Sequence, residues 1–388
     1  MDDRDSEGSD APRLNGVTSL DPERLKRAAW AFTTRRVARD QAFRVGRQAS
    51  PPRAGDLVLA RIDVLGFHRG LQLRNGRKKN LFPGDEIVIV YGNRYAPNQF
   101  EAVVPKTLGP CHLIAGGGVA GKALSWHSRI GSGPSLITPI GFVLRADGER
   151  TNLSNYAMDR VDQLAVPSPT TIAVVGTAMD AGKTTSAAYL VRGLSQAGLR
   201  VGYAKITGTG AGGDTWLLKD AGADPVLDFT DAGFVSTYLV SVPDLEQILV
   251  TLVAHLARAG VDAIVLEVAD GVLQAETAAL LESQVFKAIV GGVFFAAGDA
   301  MGAVAGVHWL KQRGLPIAGL GGLLTASPLQ MSEASTATGV PTFTREALGQ
   351  AQVARGILAT VKKLRMINGG IDARTDGAQD ERDFAARA

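Results

Sequence analysis

The stretch TIAVVGTAMDAGKTTSAAYL, residues 171–190, decides the fold. Its first half, Thr171–Val175, is a short apolar run typical of a buried strand, and the pattern after Lys183 is helical. Between them lie a glycine, a lysine and a threonine in succession, at positions 182, 183 and 184. A strand, a glycine-containing loop and a helix in this order form the context that a phosphate-binding P-loop requires.

Each loop residue has its own expected role. Gly182 lets the backbone turn closely around a phosphate, and the following helix start presents free N–H groups to it. Lys183 is expected to reach the terminal phosphates and Thr184 to give its hydroxyl to Mg²⁺. A glycine-rich turn without a ligand has no reason to place lysine and threonine directly after the glycine. The predicted nucleotide-binding residues are Gly176, Thr177, Asp180, Ala181, Gly182, Lys183, Thr184 and Thr185.

Beyond the loop, apolar strand patterns alternate with amphipathic helix patterns. The strand patterns lie at 201–208, 262–270, 288–296 and 316–324. Continuous apolar strands between such helices predict a parallel sheet that is covered on both faces. The apolar stretch 285–307 contains charged residues and glycines, which favours a buried strand and helix over a membrane span.

The N-terminal half has a different pattern. Short β-rich runs begin at Gly55 and are separated by turn residues, with Asn75-Gly76 as the clearest hairpin. We therefore predict an α/β protein in which a parallel-sheet P-loop domain is preceded by a smaller antiparallel, barrel-like β domain. The predicted segments are a disordered tail over 1–20, a basic helical segment over 21–50 capped by Asp21 and Pro22, the β domain over 51–166, the P-loop domain over 167–368 and a disordered tail over 369–388.

Composition excludes several classes of protein. The single cysteine, Cys111, excludes an internal disulfide and a CxxC metal site, and the acidic N-terminus lacks an apolar leader core. We expect a cytoplasmic protein without a membrane segment. Residues 1–165 carry 24 basic and 17 acidic side chains, a net charge of +7, whereas the remainder carries −4. An anionic partner is therefore expected at the first half.

The motif GTxxxxGKT after an apolar strand resembles the loop of dethiobiotin synthetase and cobyrinic acid amidase, within the SIMIBI-type P-loop proteins. In that family a lysine at the end of the second strand lies near the transferred phosphate, and Lys205 matches it. Asp214 and Glu267 lie where acidic residues of the family complete the magnesium shell, with Asp270 as a weaker alternative to Glu267. The resemblance implies Lys183, Lys205 and Glu267 as catalytic residues and Thr184, Asp214 and Glu267 as metal ligands. For Lys205 the other interpretation is a solvated strand end, and for each acid a helix cap or surface charge.

Two departures limit this resemblance. EVADGVLQ, residues 267–274, replaces the family's glycine-rich EGAGG stretch, and that family has no separate β domain. The segment 220–238 is similar in layout to two-domain P-loop proteins that include D-glutamate N-acetyltransferases, which bind the phosphates of an acyl-CoA. That resemblance implies Asp228 and Asp231 near the substrate, and simple loop acids are an equal alternative.

The β domain offers two further candidates. Arg35–Lys79 contains twelve basic and three acidic residues, but the sparse aromatic residues favour a solvated face over a nucleic-acid surface. A third interpretation is that these basic residues bind an acidic substrate or a partner subunit. The glycines of 116–118 could let a ligand approach Cys111, His112 or His127, or could simply form a turn beside a core cysteine.

These residues predict an enzyme that uses ATP and Mg²⁺ to activate a small-molecule carboxylate or amine, as a ligase or kinase does. Two alternatives stay open. One is an acyl-CoA-dependent N-acyltransferase with the P-loop as phosphate anchor, and the other is a regulatory or nucleic-acid-linked NTPase. The expected partners are the small-molecule substrate and a second copy of the chain, since related active sites are shared between subunits.

Overall fold

The computed structural model describes residues 13–14, 17–20, 23–39, 41, 43–164 and 168–367. The chain divides into two compact units. The first comprises Met1–Met158 with the short segments Thr209–Gly212 and Gly233–Tyr238. The second comprises Asp159–Gly208, Gly213–Ala232 and Leu239–Ala388.

The first unit is a β unit whose main sheet runs in the order β1-β2-β4-β13-β5-β8-β12-β10-β9. Most pairs are antiparallel, whereas β8 pairs in parallel with β3 and β12. This confirms the predicted antiparallel-rich β class. The strands are β1 Arg13–Leu14, β2 Val17–Leu20, β3 Ala29–Trp30, β4 Arg44–Arg47, β5 Leu57–Val64, β6 Gly70–Gln72, β7 Lys78–Asn80, β8 Glu86–Tyr91, β9 Arg94–Tyr95, β10 Phe100–Val103, β11 Cys111–Ala115, β12 Val119–Trp126 and β13 Ser135–Leu144.

Strand β5 shows why this sheet is stable. Its side chains alternate between two faces, and both faces are apolar at the strand's start. Leu57 and Leu59 lie in one buried cluster, whereas Val58 and Ile62 lie in another. The central strand is therefore covered on both faces.

The structure differs from the prediction of a helical segment over 21–50. Its α-helix is limited to α1 Glu23–Arg27, and strand β3 and a 3-10 turn, Phe32–Thr34, follow. Residues 31–34 are all buried, and one face of a surface helix cannot bury four consecutive side chains. The capping pair Asp21 and Pro22 lies outside the described residues, as does the tail predicted over 369–388. Parts of the tail predicted over 1–20 form β1 and β2.

The second unit is an α/β unit around a six-stranded sheet in the order β16-β15-β17-β14-β18-β19. All five pairs are parallel, as predicted. The strands are β14 Thr170–Gly176, β15 Val201–Lys205, β16 Ala223–Asp228, β17 Ala263–Glu267, β18 Gly292–Ala296 and β19 Ile317–Gly321. The helices are α2 Lys183–Gln196, α3 Gly212–Ala221, α4 Val242–Arg258, α5 Ala275–Glu282, α6 Gln284–Ile289, α7 Ala300–Gln312, α8 Pro328–Thr338, α9 Arg345–Leu348 and α10 over 351–367.

The core of this unit joins the sheet to α2. Ile172 and Val174 of β14 pack with Leu190 and Leu194 of the helix in one buried cluster. The stretch 285–307 forms α6, β18 and the start of α7, so the predicted strand and helix are confirmed. Within the described ranges, no helix is both long and apolar enough to cross a membrane.

Candidate functional site

The loop between β14 and α2 has the shape of a P-loop. β14 ends at Gly176 and α2 begins at Lys183. Gly182 caps the helix with a φ of 96°, a conformation that glycine adopts without strain. A Cβ on Gly176 would lie 2.6 Å from the Ala296 carbonyl oxygen, so a side chain cannot fit there either. Both glycines are therefore required by the backbone.

Two neighbouring segments hold the loop from outside. The Val272 N–H donates to the Gly176 carbonyl at 3.0 Å, and the Leu323 N–H donates to the Ala181 carbonyl at 3.1 Å. The contact at Gly322 is so close that an added Cβ would lie 2.3 Å from the Ala181 oxygen. The backbone of the loop is thus fixed before any ligand binds.

The Lys183 ammonium lies inside this loop. Its Nζ donates to the Ala178 carbonyl oxygen at 2.7 Å, and the side chain is buried. Burial lowers the pKa of Lys183, and the nearby carboxylates of Glu267 and Asp270 offset part of that effect. An anion in the loop would stabilise the charged form further. The predicted contact of Lys183 with phosphates stays a prediction.

The other predicted charged residues meet beside the first turn of α2. Glu267 ends β17, and its Oε1 accepts from the Thr184 hydroxyl at 3.0 Å and from the Lys205 ammonium at 3.1 Å. Lys205 ends β15 and also pairs with Asp214. The predicted loop acid Asp214 lies in the first turn of α3. Thr184, Lys205, Asp214 and Glu267 therefore form one connected cluster.

Burial and charge explain the cluster's electrostatics. The Glu267 side chain is 1% exposed and that of Lys205 is 15% exposed. Burial alone lowers the pKa of Lys205, but the Asp214 and Glu267 carboxylates outweigh burial and raise this pKa overall. The lysine is thus a fixed positive charge at the carboxyl edge of the sheet.

Sequence reasoning missed one member of this cluster, Tyr203. Its hydroxyl donates to Glu267 Oε2 at 3.0 Å, and the residue is 1% exposed. A tyrosine inside an apolar strand is typical of the core, so the sequence pattern did not predict the polar contact of its hydroxyl. The available clue was its spacing, two positions before Lys205 on the same strand face.

Asp228 and Asp231 lie at the end of β16, where Asp228 is the register neighbour of Lys205. The Asp228 Oδ1 accepts from the Thr230 N–H at 2.7 Å, and the Asp231 Oδ2 accepts from the Asp228 N–H at 2.9 Å. These contacts stabilise the turn after β16. The role of both acids toward a substrate stays a prediction.

The candidates of the β unit are placed differently. A Cβ on Gly117 would lie 2.1 Å from the Gly210 carbonyl oxygen. The glycine-rich stretch therefore lies in close contact with the backbone of another segment of the same chain, at Gly210. Cys111 is buried, and burial raises its pKa to about 12. The ring nitrogens of His112 and His127 accept from the backbone N–H groups of residues 123 and 129. The two histidine contacts stabilise local backbone, and a chemical role for any of the three side chains stays a prediction.

A cavity of about 310 Å³ lies at the start of the P-loop helix. Residues of α2 and of the segment after β19 line it together with the start of α9. The lining residues are Gly182, Thr185, Ser186, Gly322, Leu323, Thr325, Ala326, Arg345 and Glu346. The first turn of α2 therefore contributes Thr184 to the charged cluster and Thr185 and Ser186 to this cavity.

Comparisons with known proteins give distant matches only. No protein-family model matches the sequence, and no curated protein matches it. A solved structure of signal recognition particle 54 kDa protein from Aeropyrum pernix K1 in complex with GDP is 19% identical over 55% of this chain and 52% of that one, with a TM-score of 0.35. The chain thus spans about half the length of that protein.

Two further structures match at similar levels. The signal recognition particle receptor FtsY from Elizabethkingia anophelis in complex with GDP is 14% identical over 53% of this chain and 69% of that one, with a TM-score of 0.36. A DUF1611 family protein from Anabaena variabilis is 14% identical over 52% of this chain and 62% of that one, with a TM-score of 0.36. Similarity at this level does not indicate a function.

Proposed function

We propose that the chain binds ATP with Mg²⁺ at its P-loop and uses it to activate a small-molecule carboxylate or amine, as a ligase or kinase does. The observation that carries this proposal is the Glu267 carboxylate, buried beside the first turn of α2 and joined to Thr184 and Lys205. A loop that only anchors phosphates needs no buried carboxylates next to it.

The charges support a divalent cation. The Lys205 ammonium pairs with both Glu267 and Asp214, and phosphates in the loop would add negative charge that a divalent cation would offset. The hydroxyl of Thr184 and these two carboxylates supply the hard oxygen ligands that Mg²⁺ prefers. Among the described residues, no group of three or more His, Cys, Asp or Glu side chains could hold a metal. Mg²⁺ usually takes one or two carboxylates and completes its shell with phosphates and water.

The role proposed for each charged residue follows from its position in the site. Thr184, Asp214 and Glu267 would hold the Mg²⁺, which would supply positive charge to offset that of the phosphates. Lys183 lies inside the loop and Lys205 at the neighbouring strand end, so both would stabilise charge on the moving phosphoryl group. Lys205 suits this task because its raised pKa keeps it protonated.

The cavity lined by Gly182 and Thr185 supports a proposed direction for the ligand. With the terminal phosphate toward Lys205 and Glu267, the nucleoside would enter the cavity near Thr185 and Gly322. The first helix turn then contacts the phosphates from its N–H groups. A homodimer is part of the proposal through the family resemblance, and sedimentation of the purified chain tests it.

Product analysis tests the reaction. Purified protein is incubated with ATP or GTP, Mg²⁺ and pools of small carboxylates and amines, while phosphate and nucleotide products are measured. We expect ATP turnover that depends on both Mg²⁺ and one pool. Release of free thiol from acetyl-CoA in a parallel reaction, without Mg²⁺, would replace this proposal by the acyltransferase function.

A further inference from the structure

Tyr203 joins the core of the second unit to its charged cluster. The ring belongs to the buried apolar cluster that includes Ile172 and Val174, and the residue is 1% exposed. Its hydroxyl is the polar exception, because it donates to Glu267 Oε2 at 3.0 Å. One side chain thus packs in the core and binds the carboxylate.

Strand register explains how the hydroxyl reaches Glu267. Tyr203 lies opposite Val265, and Lys205 lies opposite Glu267. Side chains two positions apart on a strand point to the same face. Tyr203, Lys205 and Glu267 therefore share one face of the sheet. The tyrosine side chain is long enough to reach Glu267, which lies diagonally opposite it on the neighbouring strand.

The two oxygens of Glu267 have different partners. Oε1 accepts from the Thr184 hydroxyl at 3.0 Å and from the Lys205 ammonium at 3.1 Å. Oε2 accepts from the Tyr203 hydroxyl. A tilt of the carboxylate plane would weaken these hydrogen bonds together, so the tyrosine helps to fix the orientation in which one oxygen is directed at Thr184.

We propose that Tyr203 is a positioning residue, which holds Oε2 of Glu267 so that Oε1 stays directed at Thr184 and at the magnesium nucleotide. This inference rests on the proposed function, because it needs Mg²⁺ and nucleotide at the site. Tyr203 itself contacts neither of them in this arrangement and acts through Glu267.

A phenylalanine would fill nearly the same volume but could not donate. The buried Oε2 would then lose its hydrogen bond, although the ring would keep its apolar contacts. Tyr203→Phe therefore removes the positioning contact and little else.

The test uses the full chain and calorimetric titration with ATP, with and without Mg²⁺. For Tyr203→Phe we expect ATP affinity without Mg²⁺ to stay within about twofold of wild type. The gain in affinity from Mg²⁺ should fall about tenfold, as expected for one hydrogen bond to a charged group. In a Glu267→Gln background the same substitution should cause no further loss.

Tyr91→Phe is the matched control, because Tyr91 is a buried tyrosine of the first unit. If Mg²⁺ increases the ATP affinity of Tyr203→Phe as much as that of the control, the inference is overturned. An equal loss of affinity with and without Mg²⁺ also overturns it, because it shows a purely structural role. Wild-type protein whose ATP binding gains nothing from Mg²⁺ overturns the proposed function, and this inference falls with it.

Discussion

Both units contain an ion pair with little exposure, but the second unit places its pair beside the P-loop, whereas the first unit pairs Arg150 with Asp56 at 3.0 Å. In the second unit, Lys205 and Glu267 are buried as an ion pair at 3.1 Å. In the first unit, burial and the adjacent Arg94 lower the pKa of His68 to about 3, and burial raises the pKa of Cys111 to about 12. Those two groups are buried in neutral form. Burial alone therefore does not indicate a functional site, whereas buried opposite charges beside a P-loop do.

The largest effect should follow from Glu267→Gln, which keeps the shape of the side chain but removes its charge. We expect Mg²⁺-dependent turnover to fall about 100- to 1,000-fold, as for the loss of one preorganised electrostatic contact. Turnover is measured by phosphate release. Glu333→Gln on the exposed face of α8 is the control and should retain activity. Unchanged turnover in Glu267→Gln would remove Glu267 from the site.

Gly322→Ala tests the segment that holds the P-loop. An alanine at a φ of 91° is strained, and its Cβ would meet the Ala181 carbonyl oxygen at 2.3 Å. We expect a loss of about 2 to 4 kcal/mol in the free energy of unfolding, measured by denaturant titration. Gly298→Ala is the control, because an added Cβ there meets no atom within 4 Å. Equal stabilities of the two variants would contradict the close packing.

Lys183→Ala removes the ammonium from the loop. A charge-assisted hydrogen bond contributes about 1.5 to 3 kcal/mol, so ATP affinity should fall about 10- to 100-fold. Calorimetry measures the affinity, and Lys311→Ala on α7 serves as control. ATP affinity equal to wild type would show that Lys183 does not contact the ligand.

His68 predicts a pH dependence of stability. Its folded pKa of about 3 lies below the ordinary value of 6.5, so the unfolded chain binds the extra proton as the pH falls. Stability contributed by neutral His68 is complete above pH 6.5 and decreases toward pH 3, by up to about 1.4 kcal/mol per pH unit. Urea titrations between pH 7 and 4 should show a flatter dependence in His68→Gln. The control His308→Gln, at an exposed position of α7, should keep the wild-type dependence.

Cys111 gives the smallest effect. Because its thiol is buried with a pKa raised to about 12, we expect almost no alkylation by iodoacetamide at pH 8 in the folded protein. Complete alkylation should follow in denaturant, as measured by mass spectrometry. Cys111→Ala should retain turnover, and a loss of turnover would return this thiol to the candidate catalytic residues.

Short sequence patterns predicted the parts of the fold that depend on local chemistry. The apolar run before Gly176 and the lysine at 183 predicted the strand, loop and helix that the structure contains. β16 was missed because ADPVLD lacks a continuous apolar run and includes a proline. The helical segment predicted over 21–50 exceeded α1 because later residues are buried by tertiary contacts that no periodicity reveals.

The same limit applies to the site. Lys205 and Glu267 were found because each ends an apolar strand of one sheet. Their pairing depends on strand order, since β15 and β17 are neighbours in space but not in sequence. The role proposed for Tyr203 needed the same information. Strand order is decided by packing of the whole unit, so single-sequence patterns could not supply it.

The most direct test of the account is a calorimetric titration of wild-type protein with ATP, with and without Mg²⁺, alongside GTP and acetyl-CoA. We predict ATP binding that Mg²⁺ strengthens at least about tenfold, because Thr184, Asp214 and Glu267 would supply oxygen ligands to the cation. Tight acetyl-CoA binding without a Mg²⁺ requirement, or no binding of any nucleotide, would contradict the central claim.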